Sequence, residues 1–171
     1  MPIDCLPRHS LAINERRPFT EAQSSLLTFR EGDILFGAMR SYFHKVVIAP
    51  FDGVTRSTCF VLRPKQEYSY SWAVLTLFDD NTVEHASKHA RGTTIPYAVW
   101  EGSLGEMLVA LPSVDLLLAF EKIIRPMLRF IQLSFFRQKN LRQTRDLLLP
   151  KLISGEVSVE QLEAEAVAQG V

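Results

Sequence analysis

The sequence predicts an α+β fold in two parts: a small mixed domain over residues 1–111, then a long helix with a short helix behind it over 112–171. Three observations carry this. Residues 1–111 alternate short apolar runs with turn signals, the pattern of strands in a small antiparallel sheet. From Pro112 onward apolar residues recur every three or four positions, and no glycine appears until Gly155. The stretch RDLLLPKLISGEVS, 145–158, then sets a proline and a glycine behind three leucines, which reads as a helix stop and a turn.

In order, Glu31, Gly32 and Asp33 turn the chain into ILFGAM, followed by YFHKVVIA (42–49), the turn PFDG (50–53) and TCFVLRP (58–64). These β-branched and aromatic runs predict strands of an antiparallel meander. In NTVEHASKHARG, Asn81 with Glu84 makes a capping box and Gly92 a terminal glycine, so a helix is expected over 82–90. GTTIPYAVWEGSLGEMLVALP returns to strands and loops.

In the second part Ser113 can cap and Asp115 favours the positive helix end. The spacing of Leu117, Phe120, Ile124, Met127, Ile131, Leu141 and Leu148 is that of a seam packed on a partner helix. At 114–149 the helix would be roughly 55 Å long and project beyond a small domain, with a kink at Pro126. Pro150 is expected to end it and Gly155 to turn the chain. A short helix over 159–168 then starts from a second capping box, Ser158 with Gln161, stapled by Val157 and Leu162.

A hydrophobic fraction of 47% and a charged fraction of 22% are those of a globular protein. No apolar run reaches membrane-spanning length and the first residues lack an export signal, so the cytoplasm is the expected compartment. Cys5 and Cys59 have no metal spacing, and a structural disulfide is not expected. Net charge is zero, with 19 basic and 19 acidic residues, but the charges are unevenly placed. Arg40, Lys45, Arg56, Arg63 and Lys65 face one acid, Asp52, between positions 40 and 65. Four glutamates, Glu156, Glu160, Glu163 and Glu165, gather in the tail. A neutral chain of this kind can still present one positive face.

Signs of catalysis are missing. His85 and His89 stand four apart, but Ala86 holds the place of the glutamate base that HExxH chemistry needs, so surface histidines are expected rather than a metal site. No phosphate-cradling glycine loop and no [DN]PP[YF] methyltransferase motif occurs, and neither His9 with Ser10 nor Cys59 completes a nucleophile set. A non-catalytic protein is expected. Basic residues in or beside hairpin loops are, by contrast, suited to phosphates and base edges.

Taken in order, FREGDILFGAMRSYFHKVVIAPFDGV, GTTIP and RDLLLPKLISGEV resemble the DNA-specificity subunits of type I restriction-modification systems, over most of the chain. The last string is the most specific. The resemblance implies that 1–111 is one target recognition domain and 113–149 one ruler helix, capped by LLLPKLISGEV. It implies a non-catalytic subunit that positions methylation and motor-nuclease restriction subunits on a split site in double-stranded DNA. It implies no cofactor of its own, S-adenosylmethionine being held by the methylation subunit. The family carries two recognition domains and two helices where this chain has one of each. The first residues also resemble a stretch that usually has others before it. The expectation is therefore an N-terminally truncated domain, in a fragment or in a half-subunit working as a homodimer. Candidate DNA-facing residues are Arg40, Tyr42, His44, Lys45, Arg56, Ser57, Lys88 and Arg91; candidates for helix pairing are Phe120, Ile124, Met127, Ile131, Leu141 and Leu148. The alternative is an S-like assembly or regulatory protein that dimerises and binds a methylation subunit without reading DNA.

Overall fold

The computed structural model describes residues 1–13, 15–18 and 25–158, and structural statements refer to these. The short helix expected over 159–168, with Gln161 and Leu162 of its cap and staple, lies outside them. The fold is α+β, with two compact units, Met1–Phe135 and one beginning at Phe136. The first unit takes in the start of the long helix, where the sequence suggested a boundary at 111.

Strands β1 (Leu26–Phe29), β2 (Ile34–Gly37), β3 (Val46–Ile48), β4 (Gly53–Arg56) and β5 (Cys59–Leu62) are short and all pair antiparallel. They do not form a meander. β2 lies between β3 and β5, while β1 pairs with β4 in a separate two-stranded sheet. Phe29 stands opposite Gly53, where a Cβ would come within 2.7 Å of the Phe29 ring; glycine is what lets that ring lie on the neighbouring backbone.

Successive β2 side chains point to opposite faces, and both faces are covered. Ile34 and Phe36, with Val46 and Ile48, enter a core with Val74, Val83 and Leu128 from the helices. Leu35 and Val47 enter a second core with Ile3, Leu6, Ile13 and Phe29. Burial on both sides is why β2 reads as an unbroken apolar run rather than an alternation.

Helices α1 (Tyr70–Phe78), α2 (Asp80–Lys88) and α3 (Val114–Ile153) follow. The expected helix over 82–90 is α2, but its cap is Asp79, whose side chain accepts from the Asn81 N–H at 2.8 Å; Asn81 lies inside the first turn. The expected strand over 42–49 is only β3, because Ser41–Phe43 forms a 3₁₀ turn between Arg40 and His44, both left-handed. GTTIP and its continuation form loops and a 3₁₀ turn at Leu104–Glu106 rather than strands. Pro150 does not end α3, which runs to Ile153. A proline removes its own N–H bond without barring the residues after it. The turn does fall at Gly155, whose φ of +75° suits glycine.

α3 docks through Leu117 and Leu128, both buried, with Ile124 packed against the same core. Glu121 Oε2 accepts from the Ser71 N–H at 2.8 Å, satisfying an orphan donor in the first turn of α1. Arg125 pairs with Glu121 at 2.7 Å and lies 4.1 Å above the Tyr70 ring. Burial pushes the Tyr70 phenol up to about 12, and its hydroxyl donates to the Gly32 carbonyl at 2.8 Å. Leu128→Ala should therefore loosen docking and cost about 2–4 kcal/mol, read as a lower urea midpoint at unchanged slope.

Asp33 is buried beneath the sheet end, where its carboxylate accepts from the Arg30 N–H at 2.8 Å and from Arg63 Nε and Nη2, each at 2.6 Å. Burial works to raise its pKa, but the Arg63 and Arg30 hydrogen bonds outweigh that and hold it below the usual carboxylate value. A lowered folded pKa gives stability that is present above the unfolded value and lost as pH falls through the folded one. Asp33→Asn should cost roughly 1–3 kcal/mol at neutral pH. It should also flatten stability against pH below the ordinary carboxylate range, read by thermal melts from neutral to acid pH.

Candidate nucleic-acid interface

The strand register places two loops at the same end of the three-stranded sheet. Gly37 pairs with Cys59, so the chain leaving β2 and the chain entering β5 start side by side. Backbone bonds keep them together: the Thr58 carbonyl accepts from the Ala38 N–H at 2.8 Å and from the Met39 N–H at 3.3 Å. On the other side the Ala98 N–H donates to the Ala38 carbonyl at 2.8 Å, and the Arg40 N–H donates to the Pro96 carbonyl at 2.7 Å. Arg91 and Tyr97 exchange two backbone bonds, each 2.9 Å. The Ser57–Thr58 turn, the 38–40 segment and the 91–98 loop thus lie edge to edge. Gly92 makes this possible, for its φ is +89° and a Cβ there would meet the Ile95 carbonyl at 3.0 Å.

The turn that follows Arg40 is held as firmly. Ser41 Oγ and Ser87 Oγ are 3.0 Å apart, fastening the turn to α2. The His44 N–H donates to the Ser41 carbonyl at 2.9 Å, and the Arg8 guanidinium lies 3.7 Å from the centre of the Phe43 ring. Arg40 adopts φ +52°, a conformation costly outside glycine that persists where surrounding contacts impose it. Its side chain and that of Tyr42 are presented from a pinned turn, which limits the ordering needed on binding.

Of the eight candidate DNA-facing residues, Arg40, Tyr42, Arg56, Ser57, Lys88 and Arg91 are exposed, on or beside these adjoining loops. Two are not available. His44 is only 2% exposed, its ring edge-on to Phe78 at 4.6 Å, so it belongs to the interior. Lys45 spends its charge internally, with Nζ donating to the Ile3 carbonyl at 2.8 Å. Lys88 is exposed but shares its charge with Glu84 at 2.7 Å, a weak surface pair that a phosphate could displace. Sequence reading missed Ile95 and Tyr97, exposed on these segments, and Arg8, exposed on the N-terminal segment beside Phe43. Arg8 had no local signal, since it is placed by a ring 35 residues later in the chain. Tyr97 follows the GTTIP string directly and could have been included on that ground.

The helix-pairing candidates divide as well. Ile124 packs into the domain's own core and is not a partner contact, and Phe120 is half-buried. Met127, Ile131, Leu141 and Leu148 are exposed. Leu116, Ile123 and Phe130 are exposed too, and with Phe120 and Met127 they make a seam spaced by three and four; it shares Phe120 and Met127 with the expected one and takes Leu116, Ile123 and Phe130 in place of their neighbours Leu117, Ile124 and Ile131. In the second unit Leu147, Leu149, Leu152 and Ile153 add to the uncovered apolar surface of α3.

His85 and His89 lie with ring centres 4.2 Å apart on α2, and His89 Nδ1 is 2.9 Å from the His85 carbonyl, the geometry of neighbouring rings on one helix face. Cys5 and Cys59 are buried thiols with no disulfide between them, and burial raises both. Among the described residues no helix is long and apolar enough to cross a membrane. The chain matches no protein-family model and no curated protein.

Proposed function

We propose that the chain is a non-catalytic DNA-recognition subunit of the type I restriction-modification kind. Its adjoining loops would read DNA and α3 would pair with a second helix. The observation that carries this is the loop arrangement: segments 38–42, 57–58 and 91–97, distant in sequence, are hydrogen-bonded together and expose Arg40, Tyr42, Ser57, Arg91 and Tyr97. Arginine forks and aromatic edges on rigid loops are suited to phosphate and base contacts. The backbone bond from the Arg40 N–H to the Pro96 carbonyl, which ties GTTIP to the turn in another of the strings behind the family resemblance, also supports the reading. In this reading S-adenosylmethionine and methyl transfer belong to a methylation subunit, cleavage belongs to a motor-nuclease subunit, and the assembly works in the cytoplasm. A homodimer would place two identical loop sets on a gapped palindrome.

The uncovered leucines of α3 also favour a second reading, an assembly protein that dimerises and binds a methylation subunit without touching DNA. Co-expression with a methylation subunit encoded beside it, followed by mapping of methylated bases, tests both. The expected result is a symmetric, gapped methylated motif. Co-purification without methylation would support the assembly protein instead, and the absence of any complex would overturn both.

A further inference from the structure

We propose that His9, His44 and Asp80 form a binding site for a divalent transition metal, zinc by its ligand chemistry. The three residues come from the N-terminal segment, the turn after Arg40 and the first turn of α2, and their ligand atoms all lie within 4.8 Å of one another. His44 Nδ1 approaches Asp80 Oδ1 to 2.9 Å, yet neither ring nitrogen of His44 has a hydrogen-bond partner among the described residues. The nitrogen and the oxygen are close without the alignment of a hydrogen bond. That is how two donors sit when both point at a third position. Around a tetrahedral zinc with bonds near 2.0–2.1 Å, neighbouring donor atoms are about 3.3 Å apart; His44 Nδ1 and Asp80 Oδ1 already stand near that spacing, and the donors lying up to 4.8 Å apart would close by side-chain rotation.

A buried imidazole without partners is costly, because its polar atoms lose water and regain nothing. A metal bound to one ring nitrogen would satisfy that nitrogen. The backbone supplies a second, independent indication. Only three non-glycine residues among those described have positive φ: His9 at +49°, Arg40 at +52° and His44 at +49°. Two of the three are the proposed histidine ligands, and strain of this kind concentrates at functional sites. The His9 N–H donates to the His44 carbonyl at 2.9 Å, and the two rings lie 4.2 Å apart, so the pair is held in register before any ion arrives. Asp80 is free for this role because capping of α2 is done by Asp79. Its side chain is 87% exposed, which leaves the ion an entry path and a fourth coordination position for water. Imidazole and carboxylate donors without thiolate suit zinc among common divalent metals. The bound ion would join three chain segments and hold the turn that carries Arg40 and Tyr42, whatever that turn binds.

The test is calorimetric titration of the metal-stripped full-length protein with zinc chloride, with cobalt(II) absorption as a second report on coordination. One zinc per chain is expected, with Kd below about 10 µM, raising Tm at saturating metal. Asp80→Asn and His9→Gln alter exposed side chains and should each weaken zinc at least about tenfold, with far-ultraviolet circular dichroism unchanged. His85→Ala with His89→Ala should leave zinc affinity as it was. The proposal is overturned if the wild type shows no stoichiometric site in that range. It is equally overturned if both ligand variants bind as the wild type does, or if affinity is lost in the His85/His89 variant instead. None of these readouts requires DNA, so they stand apart from the proposed recognition role.

Discussion

Reversing two charges at once, Arg40→Glu with Arg91→Glu, should lower the duplex-DNA affinity proposed for these loops about a hundredfold or more at physiological salt. Both side chains are exposed, on segments that bracket Tyr97 through backbone bonds. Each reversal removes an attraction to phosphate or a base edge and adds a repulsion, so the pair acts well beyond a single lost contact. The fold should be unaffected, since neither side chain enters a core. Fluorescence anisotropy on a mixed-sequence duplex reads the effect, with circular dichroism as the control. Lys45 would be a poor substitute: its charge reversal would strip the Ile3 carbonyl of its donor and confuse folding with binding.

Met127→Asp with Phe130→Asp should abolish the proposed pairing of α3 while leaving the domain folded. These residues are exposed on α3, so the free chain tolerates the charges. A paired seam does not, because it would bury two unpartnered carboxylates at its centre. The dimer should weaken at least about a hundredfold and the variant should elute as a monomer in light-scattering chromatography where the wild type is dimeric. Ile124→Asp makes the contrasting case. It places a charge against the domain core and should unfold the first unit rather than separate two intact ones. A Met127/Phe130 variant that remained dimeric would move the interface off this face.

Much of the fold is legible in local pattern, and the misreadings share one origin. β2, β3 and β5 announce themselves as apolar runs between turns, and α2 lies close to where it is expected, although its cap is Asp79 rather than Asn81 and it ends at Lys88, short of Gly92. Two acceptable cap residues stand two positions apart at its start, and only the extended backbone of Asp79 decides between them. α1 is hidden because YSWAVLTLF, rich in aromatic and β-branched residues, carries a strand's composition on a helix's backbone. The seam of α3 is the clearest case. Leu116 and Leu117, Ile123 and Ile124, and Phe130 and Ile131 are adjacent apolar pairs, so the sequence offers two seams one residue apart. Docking on the domain takes Leu117, Ile124 and Leu128, and the other seam keeps Leu116, Ile123, Met127 and Phe130 exposed. His44 and Lys45 fail as surface candidates for a related reason. Their neighbours, Phe78 and Ile3, are far away in sequence, and nothing local foretells burial.

The salt dependence of DNA binding bears most directly on the recognition role. Anisotropy titrations of the wild type and of the Arg40→Glu/Arg91→Glu protein, from about 50 to about 200 mM salt, give the number of phosphate charges each neutralises. The wild type should lose affinity steeply, and the variant's slope should be shallower by about two contacts. A wild-type affinity that stays flat across that range, or a slope unchanged in the variant, would contradict DNA recognition by these loops.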